Sequence, residues 1–547
     1  MLAKASRLFY TLWPLKLIQH WGLFYYRVLR RFVPFKPTTT KVTKVEFNDA
    51  EFHTYQPLSW KGGMEFEFLN SSATVDAVTW QAPEQTLLWH YNLHYFDHLN
   101  AKDNYQVAAD EAQLITAWWQ FHQPLQGVPW DPYPTSLRSV NLCKWGWEHN
   151  RDFELIIEEE WVAILDRHYQ EIKRKLEYHI QANHLFANLK ALWFLQAALP
   201  EYRVKDGAWL LKQVKRELAV QFDEDGGHFE LSPMYHRIML WDLLDIFSVG
   251  KQIPEFKEAS AKMKAVASKA FTWAAALAHP DNEVAFFNDG SIGIAPTWQD
   301  LLDYCHQFDI ALEDYINAEY SGYVVQRLGD AKLICDLAEV GPSFQPGHAH
   351  ADTLSFELSI GQQRVIVNSG TSEYGASSER LRQRSTPAHN TVTMNGKNSS
   401  DVWSGFRVGR QAKVITRKAQ LGDSEANIEA THDGYKPALH HRKWSFTPNQ
   451  LVVKDSWLGA KSNAEKKSYL HFHPDINVTL ESEFSYQLEW PSGKAKLSVI
   501  AQDANAVLEQ STWHPGFGEV MESQCLVLTW HSEQTEIVMN WEEQNGC

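Results

Sequence analysis

The 547-residue chain has few cysteines, and no two of them have the close spacing of a metal-binding or redox-active pair. Its five cysteines are scattered, and no two form a C-x-x-C pair. This distribution excludes a disulfide-stapled scaffold and a cysteine-based zinc site. It is compatible with a reducing compartment or with indifference to redox conditions.

The common catalytic signatures are also missing. The chain has no G-x-x-x-x-G-K-[ST], G-x-G-x-x-G, H-E-x-x-H or G-x-S-x-G motif. Chemistry that depends on a phosphate cradle or a nucleophile elbow therefore has no support. The chain also has fewer basic than acidic residues. Its 51 Lys and Arg and 67 Asp and Glu give a net charge of -16. That balance disfavours nucleic acid as a partner.

The first 45 residues depart from this acidity. Residues 1–45 contain nine Lys and Arg and no acid, around the aromatic-rich stretches Leu8–Leu15 and Leu17–Tyr26. Neither stretch reaches the ~18 apolar residues of a membrane span, and no small-residue cleavage site of a signal peptide follows them. Two interpretations stay open: a basic amphipathic helix in peripheral contact with an anionic membrane, or a helix that docks on the protein body.

Two hydrophobic periods divide the rest of the chain. From about Asp152 to Asp314 the apolar residues recur with helical spacing, for example in Phe153–Leu165 and Tyr235–Val249, and Pro or Gly breaks the segments. This pattern favours stacked antiparallel helical hairpins, as in an α/α toroid. After about Ser321 the period changes to two, with predicted strands such as Tyr323–Leu328 and turns such as Asn395-Gly396, which indicates an antiparallel sandwich.

We therefore predict an α+β multidomain protein, in which an N-terminal α/α toroid (an incomplete helical barrel) is followed by a C-terminal antiparallel β-sandwich. The predicted parts are a basic helical segment at 1–45, the toroid at 46–320 and the sandwich at 321–547. A cleft between two such domains is where a ligand is expected.

Polar residues that suit chemistry are concentrated in a few short clusters. Each is rich in His, Asn, Tyr or Arg, and each is weak evidence alone. In chain order the clusters are Trp130–Asn141, Asn183–Asn188, Asp225–His236, Gly347–Asp352 and Arg384–Asn390.

Taken together and in this order, the clusters resemble the heparinase II/III-like family of polysaccharide lyases. The motifs that carry the resemblance are W-H-Y-N-L-H-Y-F at 89–96, D-G-G-H-F-E and S-P-M-Y-H within 225–236, G-H-A-H-A-D-x-L-S-F-E-L at 347–358, I-V-N-S-G-T-S-E-Y-G at 366–375 and R-S-T-P-A-H-N-T-V at 384–392. The resemblance covers most of residues 85–410 and also implies a toroid followed by a sandwich.

The resemblance implies that the protein cleaves an acidic, uronate-containing polysaccharide by β-elimination. A base removes the proton next to the uronate carboxylate, whose developing charge must be neutralised by aimed donors. Implied catalytic residues are Tyr235 as acid and base, Asn183 and His184 at the carboxylate, with His184 as an alternative base, and His348 to complete the neutralising set. Implied substrate contacts are Arg138, Asn141, His236 and Tyr374.

The sequence departs from the family pattern at a zinc site that some members carry in the sandwich. The matching positions here are His350, Asn368 and His389, and a neutral Asn amide is a poor zinc ligand. Either the site is empty or Asp352 substitutes for the missing carboxylate. The elimination itself requires no cofactor.

Two other functions stay open at this point. One is a non-catalytic glycan-binding protein on the same fold, and the other is a glycoside hydrolase, which needs two carboxylates about 5–9.5 Å apart. The basic beginning and the missing export signal favour a role in making a surface polysaccharide. The expected location is then the cytoplasm or the face of the inner membrane, with the periplasm as the alternative.

Overall fold

A computed structural model describes most of the chain with its side chains. The described residues are 2–32, 46, 50–122, 127–149, 158–313, 320–459 and 464–542. Within these ranges the predicted fold class is confirmed: helices fill the first half, and antiparallel strands fill the second.

The helical half is built around two helices that are apolar on every side. A helix of this kind has to be enclosed by others, and α8 and α10 are accordingly buried along almost their whole length. The helix α8 packs on α6, α9 and α10, and α10 packs on α11. The helices are α1 Leu2–Leu12, α2 Leu17–Phe24, α3 Arg30–Phe32, α4 Leu87–Leu93, α5 Ala108–Phe121, α6 Pro132–Glu148, α7 Glu158–Arg174, α8 Ala182–Ala198, α9 Pro200–Gln221, α10 Pro233–Gly250, α11 Lys257–Ala276, α12 Trp298–Gln307 and α13 Ser378–Gln383.

The strands form one small sheet before the toroid and a multi-sheet sandwich after it. The strands are β1 Trp60–Gly62, β2 Glu65–Phe68, β3 Ser71–Thr74, β4 Tyr323–Leu328, β5 Ala331–Asp336, β6 Phe356–Ile360, β7 Gln363–Ile366, β8 Val392–Met394, β9 Val402–Trp403, β10 Arg407–Val408, β11 Val414–Leu421, β12 Ala426–Tyr435, β13 Ala438–Thr447, β14 Gln450–Leu458, β15 Lys466–His471, β16 Asn477–Ser482, β17 Ser485–Trp490, β18 Gly493–Ala501, β19 Ala504–Trp513, β20 Met521–Trp530 and β21 Gln534–Trp541.

The sandwich has its own core, because alternate residues of its strands point inward. The eight-stranded sheet has the order β11-β12-β13-β14-β21-β18-β17-β16, and it is faced by the sheets β4-β5-β6-β7 and β19-β20-β15-β8. In β13 the burial alternates strictly along the strand, as expected for a sheet with one face in the core. Side chains such as Trp444 and Leu528 fill the space between the sheets.

The segment between α11 and α12 lies on the sandwich and helps to build the cleft. After α11 the chain runs through Val284–Ile292, where the N–H groups of Phe286 and Asn288 donate to the carboxylates of Glu357 (3.1 Å) and Asp352 (3.0 Å). These bonds fix the segment against the sandwich. Asp289, in the same segment, is thereby held between the two domains.

The N-terminal helices lie across both domains, and we call residues Leu2–Phe32 the strap. Arg7 pairs with Asp401 of the sandwich (Nη2 to Oδ1, 2.7 Å), and the Gln19 side chain donates to the Phe344 carbonyl (3.0 Å). At the other end the Tyr25 hydroxyl donates to the Arg174 carbonyl of the toroid (3.2 Å). The docking interpretation is thus realised for the described part of 1–45, while residues 33–45 lie outside the described residues.

No helix in the described part of the chain is both long and apolar enough to cross a membrane.

Candidate active site

Tyr235 lies in the first turn of α10, with its side chain at the cleft between the domains. Ser232 caps the helix, because its Oγ accepts a hydrogen bond from the Tyr235 backbone N–H (3.1 Å), and Pro233 fits the first helical position. The Tyr235 hydroxyl is 2.8 Å from the hydroxyl of Tyr374 in the sandwich. Two predicted site residues from different domains therefore share a hydrogen bond.

His348 comes from the sandwich and stacks directly on the Tyr235 ring. The ring centroids are 3.8 Å apart and the planes are inclined by 29°. Nδ1 of His348 lies 2.8 Å from Oδ2 of Asp289, so this nitrogen carries the proton of that hydrogen bond. The other nitrogen, Nε2, is left for a ligand. Tyr235 and His348, two predicted catalytic residues from different domains, are thus in contact across the domain interface.

Asp289 is the buried anion around which the sandwich side of the site is built. Its carboxylate accepts hydrogen bonds from His348, from His350 Nε2 (2.9 Å) and from both terminal nitrogens of Arg380, one of them at 2.8 Å. Burial alone would raise the pKa of Asp289, but Arg380 and the two imidazoles hold it well below its usual range. Asp289 therefore stays ionised and fixes the orientation of His348.

Asn183 and His184 start the central helix α8 at its cleft end. Two residues before them, Gln181 and Ala182, have φ values of 65° and 50°, a left-handed conformation that costs energy in residues with a Cβ. This bend brings the Asn183 backbone N–H and the His184 side chain close to the Glu230 carboxylate. Nδ1 of His184 is 3.1 Å from Oε1 of the buried Glu177. Burial lowers the pKa of His184, but the Glu177 and Glu230 carboxylates outweigh it and raise the pKa above its usual value.

Glu230 lies between the two halves of the site. Its Oε1 is 3.8 Å from His348 Nε2, and the charge of His184 and the backbone N–H of Asn183 also act on its carboxylate. Both carboxylate oxygens of Glu230 are buried, and neither has a hydrogen-bond partner of normal length among the described residues. Burial raises the pKa of Glu230, while His348 and His184 oppose that rise.

The Tyr235 phenol keeps its proton in this environment. Burial raises the pKa of Tyr235 well above 10, and the neighbouring Tyr374 and the Asp289 charge raise it further. The side chain is therefore a proton donor in the substrate-free site.

Arg138 is not at the site, which corrects its predicted role as a substrate contact. It is fully buried inside the toroid and donates to the carbonyls of His94 and Pro129, both at 2.9 Å. Its guanidinium lies 4.0 Å from the Trp118 ring centroid. Because its donors are used inside the core, it has no surface left for a polysaccharide.

Two further predicted substrate contacts also have structural partners. The Asn141 side chain donates to the Tyr95 carbonyl (3.0 Å) and to Asp97 Oδ1 (2.7 Å). His236 is fully buried, with Nε2 at 2.7 Å from the Ala270 carbonyl. Sequence proximity to Tyr235 suggested a contact for His236, but one residue along a helix turns the side chain by about 100° into the core.

Arg138→Ala should therefore affect folding rather than substrate affinity. The substitution removes a stacked guanidinium and leaves buried carbonyls unpaired, so we expect the free energy of unfolding to fall by roughly 3 kcal/mol. Denaturant unfolding measures the loss, and KM of the remaining folded enzyme should be unchanged. A stable Arg138→Ala protein with a raised KM would contradict this placement.

The predicted metal residues lie together behind His348. Nδ1 of His350 faces Nε2 of His389 at 3.2 Å, and Nδ1 of His389 faces Oδ1 of Asn368 at 3.2 Å. That Asn368 oxygen already accepts a hydrogen bond from Ser355 Oγ (2.7 Å), so it is engaged within the protein. Burial lowers the pKa of His350 to about 4 and of His389 to about 3, which keeps both imidazoles neutral.

The donor atoms that converge here belong to His350, Asp352 and His389, and they lie within 4.8 Å of one another. Neutral imidazoles and a carboxylate suit a divalent cation such as zinc, and His350 has the Asp289 carboxylate on its other nitrogen, as metal-binding histidines usually do. These three residues would hold a cation, which would supply a structural cross-link behind His348. Asn368 does not complete the set.

The fold and the site together define a class of protein in which a helical toroid and an antiparallel sandwich meet at a site. The toroid supplies a tyrosine to this site and the sandwich supplies a histidine. Residues 157–309 match the family model "Heparinase II/III N-terminus", and residues 311–542 match "Heparinase II/III-like, C-terminal". The chain belongs to the heparinase II/III family.

Similar proteins support the same conclusion. A heparin-sulfate lyase of Bacteroides stercoris is 25% identical over 376 residues, which cover 61% of this chain and 53% of that protein. The match therefore spans about half the length of the curated relative. A crystal structure of heparinase III has a TM-score of 0.66 at 15% identity and covers 97% of this chain and 90% of its own. A heparan sulfate lyase of Pedobacter heparinus has a TM-score of 0.59 at 16% identity, covering 88% and 82%. At sequence identities of 15% and 16%, the similarity to these two structures establishes the fold alone.

Proposed function

We propose that the protein is a polysaccharide lyase that cleaves a uronate-containing glycan by β-elimination. The observation that carries the proposal is the contact of Tyr235 with His348 across the domain interface, with the imidazole fixed by Asp289. The names of its relatives support the activity, since the curated relative is a heparin-sulfate lyase. An acidic polysaccharide is accordingly the proposed substrate class.

The first requirement of this reaction is to neutralise the uronate carboxylate. The proton at C5 is a very weak acid, and it becomes removable only when donors stabilise the charge that moves onto the carboxylate. Asn183 and His184 start α8 at the cleft, and the raised pKa of His184 favours its charged form. We therefore propose that Asn183 and His184 bind and neutralise the uronate carboxylate of the substrate.

The second requirement is a pair of groups that move two protons. Tyr235 holds its proton and is assigned as the donor to O4 of the leaving sugar. His348 has Nδ1–H bonded to Asp289, so its Nε2 is assigned as the acceptor of the C5 proton. The C5–H electrons form the C4–C5 double bond while the C4–O4 bond breaks. This assignment gives His348 a proton-transfer role in place of the purely neutralising role expected from the sequence.

Glu230 and Asp289 lie at the two nitrogens of His348. Nδ1 is 2.8 Å from Asp289 and Nε2 is 3.8 Å from Glu230, so a proton taken up at Nε2 has the Glu230 carboxyl group beside it. The transfers do not pass through the cation position at His350, Asp352 and His389.

The hydrolase alternative is less well supported by the same carboxylates. Asp289 is engaged by Arg380, His348 and His350 and cannot act as a nucleophile without breaking that network. Glu177 is likewise engaged by His184 (3.1 Å) and by the Asn188 side chain (3.0 Å), so Glu230 would lack a free partner among these described carboxylates, and a glycosidase needs two.

The proposal is tested with a panel of uronate polymers that includes heparan sulfate, alginate and the producer's own surface polysaccharide. A lyase generates a C4–C5 double bond conjugated with the carboxylate, so ultraviolet absorbance should rise during cleavage. Saturated products would support a hydrolase. Binding without cleavage of any bound polymer would support the glycan-binding alternative.

The charge on His184 predicts a pH dependence of substrate affinity. Because its pKa is raised, the imidazolium of His184 persists to a higher pH than an ordinary imidazolium does, and it is lost as the pH rises through the raised value. KM should therefore increase on the alkaline side. His184→Gln keeps a hydrogen-bond donor without a titrating charge, and its KM should be higher than that of the wild type and nearly independent of pH. An unchanged alkaline rise of KM in the variant would contradict the assignment.

A further inference from the structure

The inner face of the strap is committed to contacts with the protein body. Gly22 lies so close to the toroid that a Cβ there would come within 2.9 Å of the His179 backbone nitrogen. On the sandwich side, Trp403 Nε1 donates to Thr11 Oγ1 (3.2 Å), and Lys16 Nζ lies 3.4 Å from the Phe344 ring centroid. The strap is therefore held in place and has a fixed outer face.

That outer face is unusually rich in exposed aromatic and aliphatic side chains. The structure describes all 23 tryptophans of the chain, and only Trp13 and Trp21 are exposed among them, at 75% and 56%. Their exposed neighbours within the strap are Leu8, Phe9, Tyr10, Leu12, Leu17, Ile18, Phe24, Val28 and Phe32. Ring contacts link part of this set, because the centroids of Phe9 and Trp13 are 5.4 Å apart and those of Trp21 and Phe24 are 6.0 Å apart. Exposed apolar clusters of this kind mark interaction sites.

The charges around this face select one class of partner. The first 45 residues contain nine Lys and Arg and no acid, in a chain whose net charge is -16. In the described strap, Arg27 is exposed and follows the exposed Trp21 and Phe24 closely in the chain, whereas the Lys16 ammonium is held on the Phe344 ring. Exposed Trp and Phe combined with Lys and Arg are what a helix presents to the headgroup region of an anionic bilayer.

We propose that the outer face of the strap binds the surface of an anionic membrane while the inner face stays docked. Both interpretations of the N-terminal segment then hold at once, each for one face of the same helices. The bilayer contact is interfacial, with Trp13 and Trp21 at headgroup depth and the basic side chains beside anionic lipids.

This contact places the candidate active site close to the membrane. The hairpin β9–β10 bonds to the strap through Trp403 and through the Val408 carbonyl, which accepts from Thr11 Oγ1 (3.2 Å). The same hairpin carries Phe406, whose ring centroid is 5.0 Å from that of Tyr374 and 6.2 Å from that of His348. A single hairpin thus separates the bound surface from the cleft, so the enzyme would meet its polymer near the bilayer.

Vesicle binding of the full-length protein without substrate tests the proposal separately from the lyase activity. The probes are vesicles of phosphatidylcholine alone and of phosphatidylcholine with phosphatidylglycerol. We expect co-sedimentation with the anionic vesicles, weak binding to the neutral ones, and loss of binding at high salt. Brominated lipids should quench tryptophan fluorescence, because Trp13 and Trp21 are the exposed tryptophans.

The double variant Trp13→Ser/Trp21→Ser should reduce vesicle affinity at least about tenfold, which is about 1.4 kcal/mol. Its matched control is Tyr105→Ser/Val204→Ser, which removes exposed side chains (67% and 87%) away from the strap and should bind like the wild type. Both variants should unfold at the wild-type temperature. The proposal is overturned if the wild type stays in the supernatant with anionic vesicles at low salt. It is equally overturned if the strap variant binds unchanged, or if the variant only abolishes self-association seen by light scattering.

Discussion

Tyr235→Phe should lower kcat by about 10³-fold on any polymer that the wild type cleaves. The phenylalanine ring keeps the stack on His348 but lacks the hydroxyl that donates to O4, and a positioned proton donor is worth about 10²–10⁴-fold in rate. Substrate binding should change little, because one oxygen atom is lost and no packing. Initial rates over a range of substrate concentrations separate the two parameters.

The matched control for this variant is Tyr374→Phe. It removes the other hydroxyl of the 2.8 Å pair but leaves Tyr235 as the donor, so a much smaller decrease in kcat is expected. Thermal unfolding of both variants should stay near the wild type. If Tyr235→Phe retains more than about a tenth of the wild-type rate, the 10²–10⁴-fold range is missed and Tyr235 is not the acid.

His348→Ala is expected to cost a similar factor, about 10³-fold, although the residue belongs to the other domain. The variant removes the assigned acceptor of the C5 proton and leaves Asp289 without one of its donors. Because Tyr235 and His348 act in one reaction step, the double variant Tyr235→Phe/His348→Ala should be hardly slower than either single variant.

The control for His348→Ala is His441→Ala, which removes a histidine of the same domain from the partly exposed face of β13. This variant should keep the wild-type rate. Two results would show that His348 takes no part in the proton transfers. One is a His348→Ala variant that keeps its kcat, and the other is a double variant whose loss of kcat equals the product of the two single losses.

The hydrophobic period predicted the fold class because the two halves of the chain bury their side chains in different ways. The predicted strand Tyr323–Leu328 coincides with β4, and the predicted helix Tyr235–Val249 lies within α10. Strands β16 and β19 had no clear signal, because most of their residues are exposed or only partly buried and few apolar residues mark them. The helix predicted from Phe153 overlaps α7, which is described from Glu158 to Arg174, and its predicted start lies in 150–157, outside the described residues.

The sequence identified site residues that occur in dense polar motifs and missed those that act through distant partners. Asp289 lies in an ordinary Asn-Asp-Gly turn, and its importance comes from Arg380, which is 91 residues away. Glu230 was visible in a cluster, but its place between His184 and His348 depends on both domains. Arg138 shows the reverse error, because an Arg in a polar motif can be a core residue when backbone carbonyls satisfy it.

The most direct test of the central claim is to run the cleavage in heavy-oxygen water and to determine product masses. β-Elimination breaks the C4–O4 bond without adding water, so each cut should give one unsaturated uronate end and no incorporated heavy oxygen. Hydrolysis adds one water to each cut and would place heavy oxygen in a saturated product. Unsaturated products without label are the result predicted for wild-type enzyme, while labelled saturated products would contradict the account.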